Sequence, residues 1–143
     1  MIYIYTDGAC KGNPGPGGWG ALLQYNQYKK EINGFSLETT NNIMELTAVI
    51  KALSIIKKTS DITIITDSNY VKDGITKWID NWKNKGWKTA NKKPVKNKEL
   101  WEKLDSLRNN HNITWEWVRG HTGNPGNEKA DELANQAIIN NLS

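Results

Sequence analysis

The sequence has few of the residues that cross-link small proteins. Its single cysteine, Cys10, excludes an internal disulfide and a zinc site built from cysteines. No apolar stretch approaches the roughly 18–20 residues that a membrane-spanning helix needs, which excludes insertion into a bilayer. The first residues lack the basic start of a secretory signal and reach an acid at Asp7, so we expect a cytoplasmic protein. Burial of apolar side chains must therefore stabilise the fold.

Positive charge is concentrated in one stretch of the chain. Residues 81–98 contain seven of the 19 lysines and arginines and no acid, which leaves twelve basic residues against 15 acids in the remainder. A basic segment on a mildly acidic body indicates a polyanionic partner such as nucleic acid. A solvated lysine-rich surface explains the same composition equally well, so charge alone does not decide between the two interpretations.

The 143 residues suit one domain, and their apolar pattern predicts the α/β class. The runs that we interpret as strands are rich in β-branched and aromatic residues and cover residues 2–6, 19–28, 30–35, 61–67 and 113–118. Glycines and prolines at 12–18 predict a loop after the first strand. The first three strands favour an antiparallel meander, and the last two should lie parallel to the first.

Apolar residues at helical spacing separate the later strands. The predicted helices run from Thr40 to about 56, from 70 to about 82, from 98 to 109 and from an Asn127 cap onward. Gly74 is expected to interrupt the second of them. Strands followed by alternating strands and helices predict a mixed sheet with helices packed against it.

Four acids come from four of these elements. Asp7 and Asp67 follow two strands predicted to be parallel neighbours, where two carboxylates repel unless one is protonated or a cation holds them together. Glu45 and Asp131 lie in the first turns of two helices, where each acid alone is more simply explained as structural. As a set, the carboxylates favour Mg²⁺ or Mn²⁺, the ions used in phosphoryl displacement. His121, in a glycine-flanked loop, has a residue type suited to proton transfer at neutral pH.

Tryptophans and lysines alternate in the basic segment. The residues concerned are Trp78, Trp82, Trp87, Lys83, Lys85 and Lys88. Lysines here would bind phosphates without reading sequence, and such binding weakens steeply with salt. The alternative is that the rings pack this helix onto the body of the protein.

Six separated motifs, in order, resemble those of type 1 ribonuclease H of the bacterial kind. They are TDGACKGNPGPGGWG at 6–20, TTNNIMEL at 39–46, TDSNYV at 66–71, WKNKGWKTA at 82–90, KKPVKN at 92–97 and WEWVRGHTGNPGNEKAD at 115–131. The resemblance implies a single ribonuclease H domain over 1–143, with a basic protrusion at about 77–98. It implies the ribonuclease H-like α/β fold, with a five-stranded mixed sheet, antiparallel for strands 1-2-3 and parallel for 1-4-5, and helices on both faces.

The same resemblance implies an activity and its residues. The expected enzyme is a monomeric endonuclease that hydrolyses the RNA strand of RNA–DNA hybrids without marked sequence specificity, leaving 3′-hydroxyl and 5′-phosphate ends. Two Mg²⁺ ions, with Mn²⁺ as a substitute, would be held by Asp7, Glu45, Asp67 and Asp131, and His121 would assist proton transfer or product release. Substrate contacts are implied for Cys10, Asn13, Asn41 and Asn69 near the active site, for Thr40 and Asn97 at a DNA phosphate, and for Trp78, Lys83, Lys85 and Lys88 in the protrusion.

Two other functions are weighed against this one. A non-catalytic hybrid-binding module would keep the fold and the protrusion, but such modules usually lose a metal-ligating acid, and none is missing here. A resolvase or integrase-like strand transferase on the same fold would lack the lysine–tryptophan segment and the Gly-His-Thr-Gly loop. Both alternatives predict that hybrid is not cleaved.

Overall fold

The computed structural model describes residues 1–119 and 123–142, and the strands within that part form one mixed sheet. The strands are β1 (Ile2–Cys10), β2 (Gly15–Tyr25), β3 (Tyr28–Thr39), β4 (Asp61–Thr66) and β5 (Asn112–Trp117). Their order in the sheet is β3-β2-β1-β4-β5. The pairs β1–β2 and β2–β3 are antiparallel, and the pairs β1–β4 and β4–β5 are parallel. The predicted fold class is confirmed.

Helices cover both faces of this sheet. They are α1 (Asn41–Ile55), α2 (Asn69–Asp73), a π-helical turn (Gly74–Trp78), α3 (Ile79–Asn84), α4 (Lys98–Arg108) and α5 (Pro125–Leu142). Helix α1 packs on β1 and β2 and against α4, whereas α5 packs across β1, β2 and β3. Since Gly8 of β1 faces α1 and Gly20 of β2 faces α5, the two helices lie on opposite sides. In the described part of the chain, no helix is long and apolar enough to cross a membrane.

The main core lies between the sheet and helices α1 and α4. Its fully buried side chains include Ile4, Leu46, Leu53, Ile62, Ile64, Trp101 and Leu104. Alternate residues of β1 and β4 point to this face, which explains why Ile4 and Ile64, partners across the parallel ladder, are both buried. Burial of apolar surface is the dominant favourable contribution to such a core.

The glycine-rich stretch differs from its predicted form. Residues 12–18 were predicted to be a loop, but β2 begins at Gly15, so that prediction is wrong for residues 15–18. The glycines there serve close packing: a Cβ on Gly18 would overlap the carbonyl oxygen of Ala134, and one on Gly20 would overlap that of Ala130. Glycine is thus required in this strand because α5 crosses it in direct backbone contact.

The start of α5 also differs from the prediction. Asn127 was expected to cap the helix, but α5 begins at Pro125, and the Asn124 side-chain oxygen accepts a hydrogen bond from the Asn127 backbone N–H at 3.0 Å. Asn124 is therefore the cap, and Pro125 occupies the first helical position, where its missing N–H costs nothing. Asn127 is inside the first turn and is 2% exposed.

Gly74 interrupts the helical segment after β4, as predicted. The π-helical turn begins there, between α2 and α3. A Cβ at Gly74 would overlap the ring of the fully buried Trp101 from α4. The absence of a side chain thus lets this segment pack directly on a core tryptophan.

Candidate active site

The register of the parallel strands places Asp7 beside Asp67. The β1–β4 ladder ends at the pair Thr6–Thr66, and each acid is the next residue of its chain segment. Strand β1 itself continues to Cys10, paired with β2, so the predicted strand end at residue 6 is wrong. What ends there is the parallel pairing, and the two carboxylates emerge together beyond it.

Glu45 reaches the same place from α1. The sequence offered Thr40 or Asn41 as the cap of this helix, and the cap is Thr40, whose Oγ1 accepts a hydrogen bond from the Ile43 N–H at 3.2 Å. The backbone of α1 then lies directly on Gly8, where an added Cβ would be 2.6 Å from the Glu45 nitrogen. This close approach, which only glycine permits, brings the Glu45 side chain to the carboxylate of Asp7.

The three carboxylates form one compact cluster. Asp7, Glu45 and Asp67 each offer an oxygen, and these oxygens all lie within 4.8 Å of one another. Asp7 and Glu45 are each 6% exposed. Among the residues that the structure describes, Glu45 Oε2 is one of four buried side-chain oxygens without a hydrogen-bond partner. A buried acceptor facing two other carboxylates is suited to a cation.

Burial and mutual repulsion perturb the acid–base equilibria of this cluster. Burial, followed by the charge of Asp67 and a hydrogen bond with Asp131, raises the pKa of Asp7 from 3.8 to about 8. Burial and the charges of Asp7 and Asp67 raise the pKa of Glu45 well above its usual value. The cluster therefore resists ionisation at neutral pH without a cation, and hard divalent cations take such oxygen ligands. The residues present fit Mg²⁺ or Mn²⁺.

Asp131 adjoins the cluster from the first turns of α5. Its hydrogen bond and its charge both raise the pKa of Asp7, which places its carboxyl beside that residue. Asn135, one turn later, donates from Nδ2 to the Asp131 carbonyl oxygen at 2.9 Å and to its Oδ1 at 3.2 Å. The four acids expected from sequence thus converge on one end of the sheet. The fifth candidate, His121, lies outside the described residues.

Four predicted substrate contacts lie around the start of α1. The Cys10 thiol contacts the carbonyl oxygens of Gly15 and Thr39 at 3.5 and 3.4 Å. Asn13 Oδ1 accepts a hydrogen bond from the Asn41 N–H at 3.1 Å. Together with Thr40, these residues form one surface beside Glu45.

Asn69 begins α2 on the other side of the cluster. It is exposed and follows Ser68, whose Oγ caps the helix by accepting from the Val71 N–H at 3.1 Å. The sequence places Asp67 immediately before this cap. Asn69 is therefore exposed and only two residues from Asp67 in the chain, and its contact with substrate stays a prediction.

Asn97 is held by a tyrosine that sequence reasoning missed. Tyr70 Oη accepts hydrogen bonds from Asn97 Nδ2 at 3.1 Å and from Trp101 Nε1 at 3.0 Å. Asn97 has a left-handed backbone with φ of 60° and makes no side-chain cap to α4. Its carboxamide is thus oriented by Tyr70. Tyr70 lies within the TDSNYV motif at 66–71, which was the available signal.

The tryptophans of the basic segment pack against one another and against the body. Trp82 lies 5.7 Å from Trp78, 6.4 Å from Trp87 and 5.5 Å from the buried Trp101, measured between ring centroids. Trp78 also lies 5.9 Å from Tyr70. These contacts favour the packing interpretation for the tryptophans, although Trp78 keeps part of its surface accessible.

The three candidate lysines have different surroundings. All three are exposed, but only the Lys83 ammonium among them has an ion-pair partner in the described part of the chain, Asp105 Oδ2 at 3.1 Å. Asp105 was not identified from sequence. It shares the buried face of α4 with Trp101 and Leu104, and an acid on an apolar helix face requires a charged partner.

Comparisons with known proteins agree with this geometry. A family model described as RNase H matches residues 1–139. Ribonuclease H of Francisella tularensis subsp. novicida is 65% identical over 137 residues, which cover 96% of this chain and 90% of the relative. Ribonuclease H of Francisella philomiragia subsp. philomiragia is 64% identical over the same coverage.

Solved structures give the same assignment. LC9-RNase H1, a type 1 RNase H with the type 2 active-site motif, has a TM-score of 0.87 at 33% identity, covering 97% of this chain and 72% of that one. LC11-RNase H1, solved in complex with an RNA/DNA hybrid, has a TM-score of 0.76 at 26% identity and full coverage of both chains. This chain belongs to the ribonuclease H family and is an endoribonuclease that hydrolyses the RNA strand of RNA–DNA hybrids.

Proposed function

We propose that Asp7, Glu45, Asp67 and Asp131 hold two Mg²⁺ ions at which the RNA strand of a hybrid is cut. The observation that carries this proposal is the cluster of three carboxylates within 4.8 Å, with a buried and unpartnered Glu45 oxygen. Such a cluster is costly without cations, because burial and repulsion oppose ionisation of its members. Mn²⁺ has the same preference for oxygen ligands and would substitute.

Asp7 lies at the centre of this arrangement. All three other acids lie close enough to act on it, and it would therefore help to hold the ions together with each of them. The Gly8 N–H donates to Asp7 Oδ1 at 2.9 Å and fixes the orientation of that carboxylate. The ions would stabilise the attacking and leaving oxygens of an in-line displacement, which leaves 3′-hydroxyl and 5′-phosphate ends. His121, between β5 and α5 in sequence, would accept or pass a proton.

Substrate is bound by groups that do not read sequence. Cys10, Asn13, Asn41 and Asn69 would contact the two strands beside the acids, where amides and backbone groups can recognise a 2′-hydroxyl in a shallow minor groove. Thr40 and Asn97 would hold a phosphate of the DNA strand, with Asn97 oriented by Tyr70. Phosphate contacts position a duplex without base specificity, which fits general cleavage of hybrids.

The segment 77–98 would form a basic protrusion beside this surface. Lys85 and Lys88 are exposed there and available to phosphates, and the partly accessible Trp78, within the same segment, contacts Tyr70 of α2. Lys83 differs from these two lysines because its ammonium contacts Asp105. LC11-RNase H1, to which this chain is similar, was solved in complex with an RNA/DNA hybrid, which supports a hybrid as the ligand of this chain. We expect a single-domain monomer that acts in the cytoplasm.

Cleavage of a labelled hybrid tests the proposal. We expect cutting of the RNA strand in Mg²⁺ and none in EDTA, with double-stranded RNA and double-stranded DNA left intact. Asp67→Asn should abolish turnover. Asp61→Asn is the matched control, because Asp61 begins the strand that Asp67 follows, is exposed and accepts a hydrogen bond from Asn112 at 3.1 Å, so its loss should leave cleavage intact. Equal cutting in EDTA, or an active Asp67→Asn enzyme, would refute the assignment.

A further inference from the structure

Lys83 is exposed like Lys85 and Lys88, but its ammonium contacts a buried carboxylate. Its ammonium lies 3.1 Å from Asp105 Oδ2, and Arg108 Nε lies 2.8 Å from Asp105 Oδ1. Asp105 is 8% exposed, and the pair joins α3 to α4. Both oxygens of Asp105 are therefore occupied by cations, one from each helix.

The charges at this contact cancel. Arg108 also lies 3.8 Å from Asp80, so two cations face two carboxylates. A group with no net charge offers little attraction to a phosphate. To bind phosphate, Lys83 would have to leave Asp105 with Arg108 alone, and an incompletely paired buried charge is costly.

The apolar contact beside this pair joins the same two helices. Trp82, the residue before Lys83, packs edge-on against the buried Trp101 at 5.5 Å between centroids. The base of the basic segment is thus fixed to α4 by a ring contact and by an ion pair on adjacent residues. Lys85 follows at the end of α3, where the chain leaves the helix.

We propose that Lys83 is a positioning residue that, through Asp105, fixes the basic segment on α4, while Lys85 and Lys88 contact the phosphates of the hybrid. This inference rests on the proposed role of the segment in binding the duplex. It replaces the phosphate contact that the sequence suggested for Lys83 and adds Asp105 to the residues on which binding depends.

The salt dependence of binding separates the two roles. Each lysine that neutralises a phosphate contributes about 0.7–0.9 to the slope of log K against log salt concentration. Binding of a short fluorescent hybrid should be measured by anisotropy in EDTA, which keeps the RNA intact. Lys85→Met and Lys88→Met should each reduce the slope by about that amount. Lys83→Met should weaken binding by about two- to five-fold at every salt concentration, with an unchanged slope.

A double-mutant cycle identifies the partner. Asp105→Asn should weaken hybrid binding as Lys83→Met does. The double variant should bind no more weakly than either single variant, because both changes break the same contact. Lys83→Arg should restore binding, since a guanidinium can pair with the carboxylate. Urea unfolding of each variant shows that the chain is folded under the binding conditions.

Each outcome has a distinct meaning. A Lys83→Met slope that falls as much as that of Lys85→Met would overturn the inference, and so would additive losses in the cycle. Unchanged slopes for Lys85→Met and Lys88→Met would instead refute the proposed role of the segment. Failure of the inference and failure of the proposed function are therefore distinguishable.

Discussion

Replacing Asp7 by asparagine should stabilise the metal-free protein while it abolishes catalysis. Asp7 is buried beside Glu45 and Asp67, and its carboxyl has a pKa of about 8 in the folded protein against 3.8 for the unperturbed group. Asparagine has nearly the same shape but cannot ionise. Its side-chain oxygen can still accept the hydrogen bond that the Gly8 N–H donates to Asp7 at 2.9 Å.

The sign and size of the effect follow from proton linkage. Because the pKa of Asp7 is higher in the folded state, the folded protein binds this proton more tightly than the unfolded chain. The free energy of unfolding therefore falls as pH rises from about 4 to about 8. At pH 7, about three pH units above the unperturbed pKa, the free energy of unfolding is lower by about 4 kcal/mol, at ~1.36 kcal/mol per pH unit. Asp7→Asn removes this cost, and it also lowers the pKa of Glu45 by removing a neighbouring charge.

Urea unfolding between pH 3 and pH 8 in EDTA measures this difference. We expect equal stabilities near pH 3 and a more stable variant at pH 7, with a gap of about 2–4 kcal/mol that opens as pH rises. Asp61→Asn, at the exposed end of β4, is the control and should show no such gap. Added Mg²⁺ should stabilise the wild type much more than the variant. A variant that is less stable at pH 7, or a gap independent of pH, would refute the reasoning.

Three further predictions concern other elements. Gly74→Ala should lower the free energy of unfolding by about 1–3 kcal/mol or more, because its Cβ would overlap the Trp101 ring; an unchanged urea midpoint would contradict this packing. Ser68→Ala removes the α2 cap at 3.1 Å and should cost about 1 kcal/mol in thermal unfolding. Because Ser68 directly follows Asp67, the change should also disturb the orientation of Asp67 and lower turnover. Full activity would show that the cap does not orient that acid. His121→Ala should slow hybrid cleavage without abolishing it, so complete loss of single-turnover cleavage would assign His121 a larger role.

The convergence of the acids was predictable because it follows from the topology of the sheet. Parallel neighbouring strands end at one edge, so Asp7 and Asp67 had to emerge together once β1 and β4 were recognised as parallel. The helical spacing after Thr40 similarly indicated α1, which carries Glu45. These inferences depend on local periodicity and on the direction of the chain, both of which the sequence contains.

The errors arose where a residue's role depends on a distant part of the chain. The glycines at 15–18 resemble a turn in sequence, but Gly18 is needed in β2 because α5, more than a hundred residues later, crosses it, and Gly17 is needed because it packs against Thr39 and Met44. The pairing of Lys83 with Asp105 likewise depends on how α3 and α4 pack. The misplaced cap is different, because Pro125 after Asn124 was a readable local signal for the start of α5.

The lack of a side chain at Gly20 lets helix α5 pack closely against the sheet beside the acidic cluster. Gly20 is the partner of Asp7 across β1 and β2, and its other neighbour is the carbonyl of Ala130, the residue before Asp131. A methyl group there would force the sheet, whose strand β1 carries Asp7, away from α5, which carries Asp131. The proposed metal site therefore depends on Gly20, which has no side chain, and a larger residue at this position of β2 would disturb that site.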